Sequence, residues 1–169
     1  MKTFRLSIIL VAVCSLLGSA TMTTRKAVAF ADKRDLSAAT EQELARARSA
    51  TAKYHDIRQA EDDGYVDFNL YETGEGFHYI KFSLLDGTFN PAEPEILLYS
   101  PVPGENRLEL AGVEYLIPLT LSSGQPAGFS GDADHWRMDA EGFGLWELNA
   151  WIWLHNPEGM FAHDNPRVP

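Results

Sequence analysis

Five histidines and an excess of carboxylates are the groups in this chain with chemistry to offer. The histidines are His55, His78, His135, His155 and His163. None falls in H-E-x-x-H or paired Cys/His spacing, so a metal site has to be assembled by the fold from distant segments. His78 lies in an apolar stretch over residues 76–85, where alternation puts it on one face with Ile80, Phe82 and Leu84. A histidine on a buried face needs hydrogen-bond partners for its ring nitrogens, or a metal. Glu114 stands in Gly112-Val113-Glu114-Tyr115-Leu116-Ile117, sharing a face with Leu116. A carboxylate there is either a single charge facing solvent or a buried group held by a metal or an arginine. His55 follows the helical core position Tyr54 by about 100° of rotation, so it reaches toward the sheet or points to water. Asn149 shares a strand face with Trp151 and Trp153; it lines a pocket or serves as a structural amide.

Other constellations carry less. Asp132 and Asp134 have D-x-D spacing, but the remaining positions of a calcium loop are missing. The alternative is that they cap a turn and hold His135. His155 and His163 fall in a tail rich in Pro and Gly and read as surface residues. There is no G-x-S-x-G elbow, no glycine-rich phosphate loop and no pair of acids set apart for glycosidic work.

The elements that would position these residues follow from periodicity. Thr40 and Glu43 have capping-box spacing, and Ala47, Ala50, Tyr54 and Ile57 share one face. The pattern predicts one amphipathic helix over 40–63, stopped by Gly64. Strands are predicted over 76–85, 96–100, 110–119 and 145–154. Pro101, Pro103, Gly104 and Asn106 signal the hairpin between the second and third. The fold class is therefore α+β: a helix packed on an antiparallel sheet of four to five strands, able to curl into a partial barrel.

The first 31 residues have the organisation of an export signal. Lys2 and Arg5 precede an apolar run from Leu6 to Leu17, and Ala27-Val28-Ala29 or Ala29-Phe30-Ala31 offers the small-residue cleavage pattern. No second stretch reaches the roughly 20 apolar residues of a membrane span. A secreted or periplasmic protein of one domain, residues 32–169, is expected, without membrane attachment after cleavage. The single cysteine, Cys14, leaves with the signal, so the mature chain has no disulfide. Cleavage removes four basic residues and no acids, which takes the net charge from −10 to −14. So acidic a chain excludes nucleic acid as a partner and favours cations.

Ala52-Lys53-Tyr54-His55-Asp56, Gly76-Phe77-His78-Tyr79, Pro94-Glu95-Ile96-Leu97-Leu98-Tyr99, Gly112-Val113-Glu114-Tyr115 and the block 148–168 together resemble a family of small secreted bacterial proteins that brings no established activity. The resemblance implies histidine at the positions of His55 and His78, glutamate at Glu114, and often histidine where this chain has Asn149. Such a set resembles the ligands of one divalent transition metal: zinc, manganese, iron or copper. The expected centre is thus His55, His78 and Glu114, with Asn149, Tyr79, Trp151 and Trp153 lining a pocket beside it. The other reading is a metal-free module in which Phe77, Tyr79, Trp146, Trp151 and Trp153 enclose a small ligand or form the core.

Overall fold

Ser37 opens the first helix. Its hydroxyl accepts the Thr40 amide at 3.0 Å, and α1 (Ala38–Thr51) follows. This computed structural model describes residues 36–140 and 142–169, and the export segment read at 1–31 lies outside them. The expected pairing of Thr40 with Glu43 gives way to a longer reach: Glu43 accepts the Ser130 amide at 2.7 Å and its hydroxyl at 2.9 Å. Thr40, Leu44, Ala47 and Thr51 form the buried stripe of α1, at the spacing of one helical face.

The single helix expected over 40–63 is interrupted. The chain tightens into a 3-10 turn, Ala52–His55, and Asp56 then becomes extended, its carboxylate accepting the Arg58 amide at 3.2 Å. A side chain that bonds its own backbone neighbours competes with helix continuation, so α2 (Ile57–Asp62) starts afresh. The Tyr99 hydroxyl donates to the Tyr54 carbonyl at 2.7 Å and anchors the break to the sheet.

Among the described residues, six strands form one antiparallel sheet: β1 (Val66–Glu72), β2 (Gly76–Ile80), β3 (Ile96–Pro101), β4 (Leu108–Pro118), β5 (Arg137–Met138) and β6 (Leu145–Ala150), in the order β1-β2-β3-β4-β6-β5. The α+β architecture is as expected, with six strands in place of four or five and with β1 and β5 left as edges. Two strands are shorter than their apolar runs. Phe82–Leu84 coil into a 3-10 turn, which ends β2 early, and β6 stops at Ala150. β1 and β5 have no counterpart among the predicted strands.

Alternation divides the sheet into two faces. Tyr79, Leu97, Tyr99, Val113, Tyr115, Ile117 and Leu148 meet Leu44, Ala47, Tyr54 and Ala60 of the helical layer in the main core. The other face carries Ile80, Ile96, Leu98 and Leu116, with Trp151 and Val168 packed on it. Because β6 ends at Ala150, Trp151 and Trp153 do not share a face. Trp151 joins the second cluster, whereas Trp153 packs toward the helix and donates its indole N–H to Thr51 at 3.1 Å. Tyr79 also belongs to the helix-side core, and Phe77 and Trp146 pack against it. The aromatic set read as a pocket is therefore consumed as core on the two sides of the sheet.

Candidate metal centre

His78 and Glu114 are both buried, at 3 % and 4 % exposure, and alternate onto the face away from the helix. β3 lies between their strands. His78 pairs with Leu98, and Glu114 pairs with Ile96 on one side and Asn149 on the other. The two side chains lean together over β3, which brings His78 Nε2 within 3.8 Å of Glu114 Oε2.

The third group is Glu75, which sequence reasoning did not single out. It sits in the turn between β1 and β2, is 2 % exposed, and holds Oε2 at 3.1 Å from His78 Nε2. One ligand atom from each of Glu75, His78 and Glu114 lies within 4.8 Å of the others. The turn that presents Glu75 depends on glycine. Gly76 has φ +90°, and a Cβ there would stand 2.4 Å from the Tyr99 carbonyl oxygen. Strained φ and a clash with backbone each cost of order 1–3 kcal/mol. Gly76→Ala is therefore expected to lower stability by about 3 kcal/mol, read from the urea midpoint. A loss under about 1 kcal/mol would show that the turn can relax.

The C-terminal tail closes over the same face. Trp151 donates its indole N–H to the Ala162 carbonyl at 2.6 Å, the Asn149 amide donates to the His163 carbonyl at 3.4 Å, and the Asn165 amide donates to the Gly74 carbonyl at 2.8 Å. These contacts carry His163 to Glu75, with Nδ1 2.5 Å from Oε1. The expectation of a surface His163 is corrected: its side chain is 26 % exposed and meets a buried carboxylate. Arg137 from β5 lies 3.1 Å from Glu147 and 4.0 Å from Glu75. Glu75, Glu114 and Glu147 thus gather around Arg137, His78 and His163.

His55 does not join this group. It is exposed on the helical layer, its ring 4.4 Å from that of Trp153, on the opposite side of the sheet from His78. Asn149 is buried and pairs with Glu114 across β4 and β6. Asp134 accepts the Phe129 amide at 2.8 Å and so caps a turn, while His135 and His155 are exposed.

The arrangement offers the donors a cation would need. His78 Nδ1 is buried with no hydrogen-bond partner among the described residues. If Nε2 carries the proton, Nδ1 is an orphaned acceptor. If Nδ1 carries it, the Nε2 lone pair faces two carboxylates. A divalent ion between Nε2, Glu75 and Glu114 turns that repulsion into coordination. Carboxylate and imidazole donors together suit borderline divalent ions.

Beside the centre a cleft of about 210 Å³ opens on the same sheet face. His78, Glu114 and Glu147 are its polar lining, and the rest is apolar. Phe68 and Leu70 come from β1, Phe82 and Leu85 from the 3-10 turn and the residue that follows it, and Phe143 and Leu145 from the approach to β6. None of Asn149, Tyr79, Trp151 and Trp153 lines this cleft. The rim and β1 carry no signal that alternation in residues 76–85 would reveal. Comparison with protein-family models, with curated proteins and with solved structures finds no match.

Proposed function

We propose that this is an exported protein that holds one divalent transition-metal ion between Glu75, His78 and Glu114, and that His55 is not a ligand. The observation that supports the reading is the convergence of three buried donor atoms, from a glycine-framed turn and two strands, within 4.8 Å. Rigid elements hold donors more accurately than loops. Zinc, manganese, iron and copper all accept this mixed oxygen and nitrogen set. His163 stands against Glu75 and can orient it, and the Asn149 side-chain amide bonds the His163 carbonyl. Such an ion polarises a bound oxygen or lowers the pKa of a bound water; here the residues hold it beside an apolar cleft. Export rests on the 1–31 segment. No helix among the described residues is long and apolar enough to cross a membrane.

Metal content by mass spectrometry, on protein from residue 32 onward purified without chelator, tests the proposal. The expected result is close to one ion per chain in the wild type and near zero in His78→Ala. A wild type that is empty and gains no thermal stability from Zn²⁺, Mn²⁺ or Cu²⁺ would sink it.

A further inference from the structure

We infer that the cleft beside the metal centre receives a small amphipathic carboxylate, an apolar body with one anionic oxygen head that completes the coordination of the ion; this inference rests on the proposed metal centre. Phe68, Phe82 and Phe143 stand around one mouth, with ring centroids 6.2 Å apart for Phe68 and Phe82 and 6.1 Å for Phe68 and Phe143. Phe82 is 55 % exposed and Phe143 54 %. Large aromatic surface left in water around a concavity marks a contact site for apolar matter. The size is restrictive. About 210 Å³ is below the usual range of drug-sized ligand pockets and suits a single ring or a short chain.

The polarity of the head follows from charge. Two carboxylates, Glu75 and Glu114, neutralise a divalent ion, and Glu147 is paired with Arg137 at 3.1 Å. With the ion in place the floor no longer attracts a cation. Three ligands from the chain leave at least one coordination position open, and because His78 and Glu114 line the cleft, the cleft is the side from which a further donor can reach the ion. The remaining walls offer no polar partner, so one head is all the site can use. A carboxylate supplies a hard oxygen donor to that position while its apolar body covers Leu70, Leu116 and the phenylalanine rim.

The test uses the protein from residue 32 onward loaded with Co²⁺, whose visible absorption reports its ligands. The metal-loaded protein is titrated with phenylacetate and, separately, with acetate. The expected result is a change in the Co²⁺ bands at a phenylacetate concentration at least tenfold lower than for acetate. The double variant Phe82→Ser, Phe143→Ser should keep the bands of the ligand-free protein and bring the two acids within about threefold of each other. Equal response of the wild type to both acids, or no response to either, overturns the cleft inference and leaves the metal centre standing. Failure of Co²⁺ bands to develop overturns both, and the absence of bound metal identifies the centre as the part that failed.

Discussion

Between pH 5 and pH 9 the protein will lose stability, and Glu95→Gln will remove most of that loss. Glu95 precedes β3 and is 3 % exposed. β3 begins at Ile96, opposite Glu114, so the Leu116 amide two residues further along β4 has no strand partner on that side. The Glu95 carboxyl fills the gap and accepts that amide at 3.0 Å. Tyr65 and Tyr115 anchor the segment leading into Glu95, their hydroxyls donating to the carbonyls of Pro94 and Pro91 at 2.7 and 2.9 Å. Burial is the dominant influence and pushes the carboxyl from its ordinary 4.5 up to about 8, against the smaller pull of the Leu116 amide.

The direction of the pH effect follows from linkage. Below pH 4.5 the folded and unfolded chains both hold the proton, and the stability is fully present. Between pH 4.5 and about 8 the unfolded chain releases the proton while the folded chain keeps it, so each unit of pH costs about 1.4 kcal/mol. Above pH 8 the loss is complete, at roughly 5 kcal/mol. Glutamine keeps the acceptor for Leu116 and carries no charge. At pH 5 the variant and the wild type should lie within about 1 kcal/mol of each other, and at pH 9 the variant should be more stable by a few kcal/mol. Urea midpoints at pH 5, 7 and 9 in the presence of a chelator measure this. Taking the difference between the two proteins cancels the contribution of every other carboxylate. Parallel curves for the two proteins would defeat the argument.

His78 and Glu114 were legible because a strand has a period of two: once 76–80 and 110–118 are strands, burial of the flanking Ile80 and Leu116 decides where the polar residues go. Their convergence was not legible, since it depends on β3 lying between β2 and β4. The same parity argues against His55. The helix packs on the face that Tyr79, Leu97 and Tyr115 occupy, and His78 alternates away from it, so no residue of the helical layer reaches His78 through the sheet. Glu75 was hidden in a turn whose shape comes from Gly74 and Gly76, both at φ +90°, and from the tail amide of Asn165 on Gly74. His163 was hidden for a related reason: contacts from Asn149, Trp151 and Asn156 define the path of an irregular tail, and none of them is local. β1 escaped because an exposed edge strand has one partner to fix its register. Its bulge between Asp67 and Tyr71 breaks the alternation that Val66, Phe68 and Leu70 begin. That strand carries two walls of the cleft, Phe68 and Leu70, whereas the stronger apolar signal lies in the continuous run over residues 145–154.

Glu75→Gln will abolish metal binding without destabilising the metal-free protein. Glu75 occupies the middle of the cluster, with Oε2 toward His78 and Oε1 toward His163. Glu75, Glu114 and Glu147 gather three buried carboxyl groups around the single guanidinium of Arg137. A buried excess of like charge is costly unless something neutralises it. If Glu75 served only as a structural hydrogen-bond partner for the two histidines, its loss would cost about 1–3 kcal/mol of metal-free stability. If the cluster is built to hold a divalent ion, glutamine removes one of the opposing charges while its amide still offers a donor and an acceptor to the histidines. The metal-free variant is then as stable as the wild type or more so, by up to about 2 kcal/mol, the trade of stability for function common at binding sites. Metal content should fall from near one ion per chain to near zero, and the thermal shift on adding Zn²⁺ should vanish. Chelator-treated wild type and variant, compared by urea unfolding at pH 7, supply the stability term, and the same samples after metal addition supply the binding term. A variant that is destabilised without metal yet still binds Zn²⁺ with full stoichiometry would assign Glu75 a structural role and return the search for the third ligand to His163 and Asn149.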